Sequence, residues 1–273
     1  MKSGSQPLDD VNDFQLIKLL AEAEDWTEGS GILDVKDISI YARAKYVERV
    51  LSFVNLDALR PLRVVVNSGN GAAGPSFDAI AAELARRGAP VEFIRVHHEP
   101  DHTFPNGIPN PMLTENQKHT SEAVVRESAD LGIAFDGDFD RCFFFDEQGE
   151  FVQGEYVIGL LAKVFLEKQH DGIIVHDPRA LWNIQEIIES NGGRSVISKT
   201  GHAFVKQKMR ETNAIYGAEL SAHHYFRDFF YCDSGMLPWL FICELLGRSG
   251  LSLIHISEPT RLLSISYAVF CLK

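Results

Sequence analysis

Apolar residues recur along this chain with two periods that take turns. Between residues 35 and 56, Ile40, Tyr41, Ala44, Val47, Val50, Leu51 and Val54 fall three or four apart, the spacing of an amphipathic helix. Short apolar runs then alternate with helical stretches: strand 63–67, helix 75–87, strand 91–96, helix 115–128 with Thr114 as its N-cap, and strands 131–135 and 142–145. Residues 146–150 read as a turn between two strands, so an antiparallel hairpin follows. A second alternation predicts helix 155–167, strand 172–176, helix 181–190, strand 195–198, helix 203–210, strand 214–217 and helix 234–246, the last capped by Asp233. Strands alternating with helices of this length predict mostly parallel sheets covered on both faces. The expected fold class is therefore α/β, as two consecutive α/β/α layer domains with mostly parallel mixed sheets, over residues 35–152 and 153–246. The ends differ. Residues 1–34 are polar apart from one apolar island at 14–20, and read as the remnant of a preceding domain and a linker with one helix. Residues 247–273 contain the runs 251–256 and 262–272, which lack both a helical period and clear turns, and read as a tail foreign to the fold.

Composition narrows the partners. A chain of 273 residues with 45% hydrophobic content can fill two ordinary cores. Its formal net charge of -12 argues against nonspecific nucleic-acid binding, which needs a basic face. An anionic small substrate requires positive groups focused locally. Cys142, Cys232, Cys243 and Cys271 show neither paired zinc spacing nor a dense disulfide framework, which suits a reducing cytoplasm. No signal peptide is read at the start, and the apolar run 156–166 is too short for a bilayer and is interrupted by Lys163, so no membrane association is expected. Nothing in the pattern specifies an oligomeric state.

The strongest chemical signal is residues 136–141, Asp-Gly-Asp-Phe-Asp-Arg, between two apolar strands. Asp136, Asp138 and Asp140 on one turn repel unless a cation holds them, and all-oxygen ligands favour Mg²⁺, Mn²⁺ or Ca²⁺ over zinc. Gly137 is expected to let the chain bend sharply enough for alternate carboxylates to converge. Arg141 next to them has the planar fork that suits a phosphate or carboxylate. This reading outweighs a solvated acidic turn. It also outweighs an EF-hand loop, because Arg141 stands where that loop needs glycine and the flanks read as strands. A dehalogenase-like phosphatase with Asp136 as nucleophile fits less well, since that family wants its aspartate pair after the first strand of the domain.

Other motifs are more ambiguous. Residues 69–74 are a literal G-x-G-x-x-G between a strand and a helix, but the next strand ends in His97 and His98 where a dinucleotide site wants an acid, so a tight turn is preferred. His97, His98 and His102 share a proline-rich loop without ligand spacing and read as surface. Lys199 and His202 bracket a helix start, which suits anion binding or proton transfer as well as a plain helix cap. Glu219, Ser221 and His223 supply the mixed donors and acceptors that vicinal sugar hydroxyls need, bounded by Tyr225 and Phe226.

Together these loops resemble the phosphohexomutase family, most closely its bacterial phosphomannomutases. The resemblance rests on five collinear segments: 65–75 (VVNSGNGAAGP), 104–111 (FPNGIPNP), 132–142 (GIAFDGDFDRC), 199–204 (KTGHAF) and 218–226 (AELSAHHYF). It implies Mg²⁺ on Asp136, Asp138 and Asp140, with Arg141 near the transferred phosphate and Lys199 and His202 lining the same cleft. It implies that Glu219 and Ser221 contact the sugar of a hexose phosphate, with His223 beside them. The reaction implied is transfer from a phosphoserine to a hexose monophosphate, through a bisphosphate, with the other phosphate returned to the serine. The family's Ser-His-Asn-Pro nucleophile loop and its Arg-x-Ser-x-Thr-Glu-Pro phosphate loop do not occur here, so the expectation is the two middle domains of a four-domain enzyme, silent alone. Ala218 and Ala222 stand where the family commonly has glycine, and would be strained if those positions need positive φ.

Overall fold

The structure, a computed structural model, describes residue 8 and residues 11–24 and 36–256. The runs 251–256 and 262–272 singled out above thus fall partly, and residues 257–273 wholly, outside the described residues.

The apolar run Val64, Val65 and Val66 is fully buried because alternate residues face two different layers. It lies in β1 (Leu62–Asn67), which pairs in parallel with β2 (Val91–Val96) and β3 (Leu131–Phe135). Val64 and Val66 pack toward α2 (Ser39–Leu51) and α3 (Ala73–Arg86), whereas Val65 packs toward α4 (Lys118–Glu127). β4 (Cys142–Phe145) and β5 (Phe151–Val152) continue the sheet antiparallel, giving the order β2-β1-β3-β4-β5.

After α5 (Gly154–Lys168) the same plan repeats. β6 (Ile173–His176) takes β7 (Arg194–Ile197) and β8 (Tyr216–Ala218) as parallel neighbours, with β9 (His224–Phe226) and β10 (Cys232–Asp233) antiparallel at the far edge. Its order, β10-β9-β8-β6-β7, is the first sheet's order read from the other edge. α6 (Leu181–Ser190) and α7 (His202–Thr212) complete the layers. Two α/β/α units with mixed five-stranded sheets are thus present, as expected.

The units share one core through α8 (Pro238–Ser249), whose residues 238–246 are all buried. Trp239 packs against Phe77 and Phe93 of the first unit at ring distances of 5.3 and 5.8 Å. Phe241 packs against Phe165 and Phe226 of the second at 5.0 and 5.9 Å. A helix apolar on every face needs two partners, and α8 has them.

Several sequence expectations shift. Thr114 opens a separate 3-10 turn, Thr114–Asn116, rather than capping α4. The last helix starts at Pro238, not Ser234, so Asp233 is no cap but a strand residue, ion-paired with Lys206 at 2.8 Å. β9 and β10 were not legible, being two or three residues each inside an aromatic-rich loop. α8 runs past Gly247, and Leu253 is buried, so the fold continues beyond the expected start of the tail. At Gly247 a side chain would sit 1.9 Å from the Ala58 carbonyl oxygen, a close contact that only glycine permits. The apolar island near the start forms α1 (Asp13–Glu22), which buries no residue.

Candidate active site at the domain junction

In an open sheet of this order, ligands bind beyond the carboxyl ends of the strands where the order reverses, here between β1 and β3 and between β6 and β8. The residues leaving β3 are the acidic loop, and those leaving β8 are Glu219 to His223. The two loops meet: Arg141 and His223 form an isolated antiparallel bridge, and the Gly235 amide donates to the Phe139 carbonyl at 3.2 Å.

Within the acidic loop, Asp136 is 2% exposed, Asp140 partly buried and Asp138 exposed. One oxygen from each lies within 4.8 Å of the others. The bend that brings them together has its positive φ at Phe139 (54°), not at Gly137 as expected from the sequence. Arg141 donates from Nε to Asp136 Oδ2 at 2.7 Å and from its backbone N–H to Oδ1 at 3.2 Å. One guanidinium facing three carboxylates leaves surplus negative charge. Asp140 Oδ1 is buried without a hydrogen bond, and such an orphan among carboxylates suits a cation. The trio therefore offers groups that could hold a metal ion, with hard oxygen donors throughout.

Burial, with the charge of Asp140 adding to it and Arg141 opposing it, pushes the Asp136 carboxyl up to about 6. Asp140 goes the other way: its hydrogen bond with His223 holds it below the usual carboxylate range against burial. His223 is pulled down by burial, but its bond to Asp140, at 3.4 Å from Nε2, outweighs that and raises it.

His223 faces both loops. Its Nδ1 lies 3.0 Å from Ser221 Oγ and 3.8 Å from Glu219 Oε2. Glu219 is 2% exposed, accepting from the Gly201 amide at 2.7 Å and from the Tyr225 hydroxyl at 2.5 Å. Asp136, Asp140, Arg141, Glu219, Ser221 and His223 are thus one connected group. Lys199 and His202 stand at its exposed rim, joined to it through Gly201 between them. The anion that the start of α7 attracts is Glu219 itself.

Sequence reasoning missed four neighbours of this group. Asp233 brings a carboxylate within 4.8 Å of Asp140 and His223, its cap-like position before a serine having hidden it. Lys206 holds Asp233. Asp177, fully buried after β6, accepts from Arg179 Nη2 at 2.5 Å and from the Leu220 amide at 3.1 Å, so it ties a half-exposed arginine to the loop that carries Glu219 and His223. No local motif marks either residue.

The G-x-G-x-x-G run serves packing. A side chain on Gly69 would meet Pro109 at 2.3 Å, one on Gly71 the Gly137 carbonyl at 2.6 Å, and one on Gly74 the His98 carbonyl at 2.3 Å. His98 bonds Asp78 at 2.9 Å, and none of the three loop histidines joins a metal-ligand grouping among the described residues. Of the two alanines, Ala218 lies in a strand and Ala222 sits at φ 69°, so strain falls on one alone. Gly71→Ala is expected to cost about 2–3 kcal/mol, because its obstacle is backbone. It should also weaken cation binding by displacing Gly137; melting curves with and without Mg²⁺ check both, and an unchanged pair would refute the contact's importance.

The comparisons with known proteins come to the same place. The family described as phosphoglucomutase/phosphomannomutase, alpha/beta/alpha domain II, matches residues 44–149, and domain III of that family matches residues 153–261. Curated relatives include a phosphomannomutase of Salmonella montevideo, 52% identical over 253 residues, which is 93% of this chain and 56% of that protein. Another is a phosphomannomutase of Escherichia coli (strain K12), 51% identical over 246 residues, 90% and 54% of the two chains. The chain spans about half the length of the curated relatives it matches. Among solved structures, a phosphoglucomutase/phosphomannomutase family protein from Burkholderia thailandensis superposes with a TM-score of 0.76 at 30% identity, over 86% of this chain and 49% of that one.

Proposed function

Since the chain belongs to the phosphoglucomutase/phosphomannomutase family, we propose that it supplies the metal-binding and sugar-binding parts of a phosphomannomutase. The whole reaction would interconvert mannose 6-phosphate and mannose 1-phosphate in the cytoplasm, through a phosphoserine and a bisphosphate. The observation that carries this reading is the junction, where an all-oxygen acidic loop and a sugar-type loop from different sheets share His223 as a neighbour.

Asp136, Asp138 and Asp140 would hold Mg²⁺, which when bound neutralises charge on phosphoryl oxygens. Arg141, oriented by Asp136 through Nε, keeps its other guanidinium N–H groups for those same oxygens. Glu219 would accept from sugar hydroxyls, and Ser221 and His223 can donate or accept. Lys199 adds positive charge and His202 an imidazole N–H at the rim, where the second phosphate of a bisphosphate would lie. Positioning accounts for most of the work in such transfers. Phosphoglucomutase is the second reading, favoured by the fact that none of these groups distinguishes one hydroxyl configuration from another.

With no Ser-His-Asn-Pro segment in its sequence, the chain is expected to bind hexose phosphate without turning it over. A coupled assay from mannose 1-phosphate, with glucose 1,6-bisphosphate as activator, should be silent while calorimetry with Mg²⁺ and mannose 1-phosphate shows binding. Clear turnover would overturn the silent-module part, and no binding would overturn the whole.

The pH dependence follows from Asp136. A carboxyl raised from 3.8 to about 6 stabilises the fold fully below pH 3.8, and that contribution is lost as pH rises through 6. Metal must bind the ionised form, so the rise in Tm caused by Mg²⁺ should be small at pH 5 and larger at pH 7.5. Equal shifts at the two pH values would contradict this.

A further inference from the structure

We propose that Tyr225 is a positioning residue for sugar recognition, its hydroxyl and the Gly201 amide clamping the Glu219 carboxylate from two sides. The proposal rests on the mutase reading above for what Glu219 recognises, but the clamp itself stands on geometry. Glu219 leaves β8 and Tyr225 lies on β9, whose registers pair Gly217 with Tyr225. The Glu219 amide donates to the His223 carbonyl at 3.0 Å, which closes the loop and faces the two side chains toward each other. Tyr225 Oη donates to Oε2 at 2.5 Å and Gly201 N to Oε1 at 2.7 Å.

The donors come from separate elements, so the carboxylate cannot turn without losing one of them. Tyr225 is fully buried, with the His223 ring stacked 6.2 Å away and Lys206 Nζ 5.6 Å from its ring centre, so its hydroxyl has no route to water. Gly201 reaches Glu219 with φ at 119°, a conformation that side-chain residues rarely adopt. Burial first, and then the bond to Glu219, push the Tyr225 hydroxyl far above its ordinary range, so it remains a donor at every working pH.

A carboxylate has about four lone-pair directions. The clamp uses one on each oxygen, and on the mutase reading the remaining acceptor capacity serves sugar hydroxyls. Tyr225→Phe removes one jaw without changing the ring, so Glu219 loses its fixed direction.

Calorimetry on the full chain with Mg²⁺ tests this with three probes: mannose 1-phosphate, inorganic phosphate and Mg²⁺ alone. Tyr225→Phe should weaken mannose 1-phosphate about tenfold, the loss of one charge-assisted hydrogen bond, and change the other two less than twofold. In a Glu219→Gln background the same change should have no further effect on the sugar phosphate. Equal losses for all three probes, or additive losses in the double variant, would overturn the proposal as a general packing defect. If the wild type takes up no mannose 1-phosphate, the mutase reading is what has failed. The clamp is then judged by hydrogen exchange of the Gly201 amide, which Tyr225→Phe must accelerate; unchanged exchange overturns it.

Discussion

If the acidic loop holds Mg²⁺ or Mn²⁺ as proposed, Asp136→Asn is expected to abolish the stabilisation by that cation, with affinity down about a hundredfold or more, while the cation-free protein melts within about 3 °C of the wild type. Two effects oppose each other at this side chain. Asp136 is a nearly fully buried carboxylate whose ionisation is opposed chiefly by burial, so an uncharged amide of the same shape relieves that cost. Against this, Asn cannot accept from both the Arg141 backbone and its Nε, so one of those two bonds is lost. Arg141 retains contact with solvent and with Asp140 at 3.6 Å, so it is not left as an isolated buried charge. The near balance concerns stability alone, because the cation loses the one ligand of the trio that the fold holds rigidly. Differential scanning fluorimetry across a Mg²⁺ series, with Mn²⁺ binding followed by electron paramagnetic resonance, reads both quantities. A variant that keeps its Mn²⁺ affinity would remove Asp136 from the ligand set, and one that unfolds without metal would show that the Arg141 pair had been misjudged.

Trp239→Ala should be the most damaging substitution in the core, at about 3–5 kcal/mol, or roughly 10 °C in Tm. Trp239 is 1% exposed and packs against both Phe77 of α3 and Phe93 of β2 in the first unit, themselves in edge contact, while its helix serves the second unit. Removing the indole opens a cavity in the seam that joins the two sheets. The acidic loop and the Glu219 loop come from opposite sides of that seam, so binding of mannose 1-phosphate should weaken as well. Trp239→Phe is expected to cost much less, since the indole Nε1 is buried without a hydrogen bond and its loss recovers a desolvation penalty. Calorimetric unfolding of the three proteins decides the matter. A loss below about 1 kcal/mol for the alanine variant would mean that the seam relaxes around the gap.

Most of the layer architecture was legible because burial on both faces writes itself into composition. β3 and β4, at Leu131–Phe135 and Cys142–Phe145, lie where continuous apolar runs place them. The helical period located α3, α5 and α6 to within two residues at either end. β9 and β10 left no such trace, since their length is set by the neighbour each adds to and not by a run of their own. Asp233 was misplaced for the same reason: an acid before a serine has the local signature of a cap, and only its partner Lys206 on α7 shows otherwise.

The sequence alone determined the chemistry available. It set three carboxylates beside an arginine on a turn, and an acid, a hydroxyl and an imidazole on another, because residue type fixes charge, donors and acceptors wherever a side chain lies. Tertiary structure alone decided how these groups act together. It buried Asp136 and so moved its proton affinity, brought His223 to Asp140 across the domain junction, and clamped Glu219 between Gly201 and Tyr225. Those outcomes depend on distances between residues far apart in the chain, and electrostatic and hydrogen-bond energies follow distance and burial rather than sequence order.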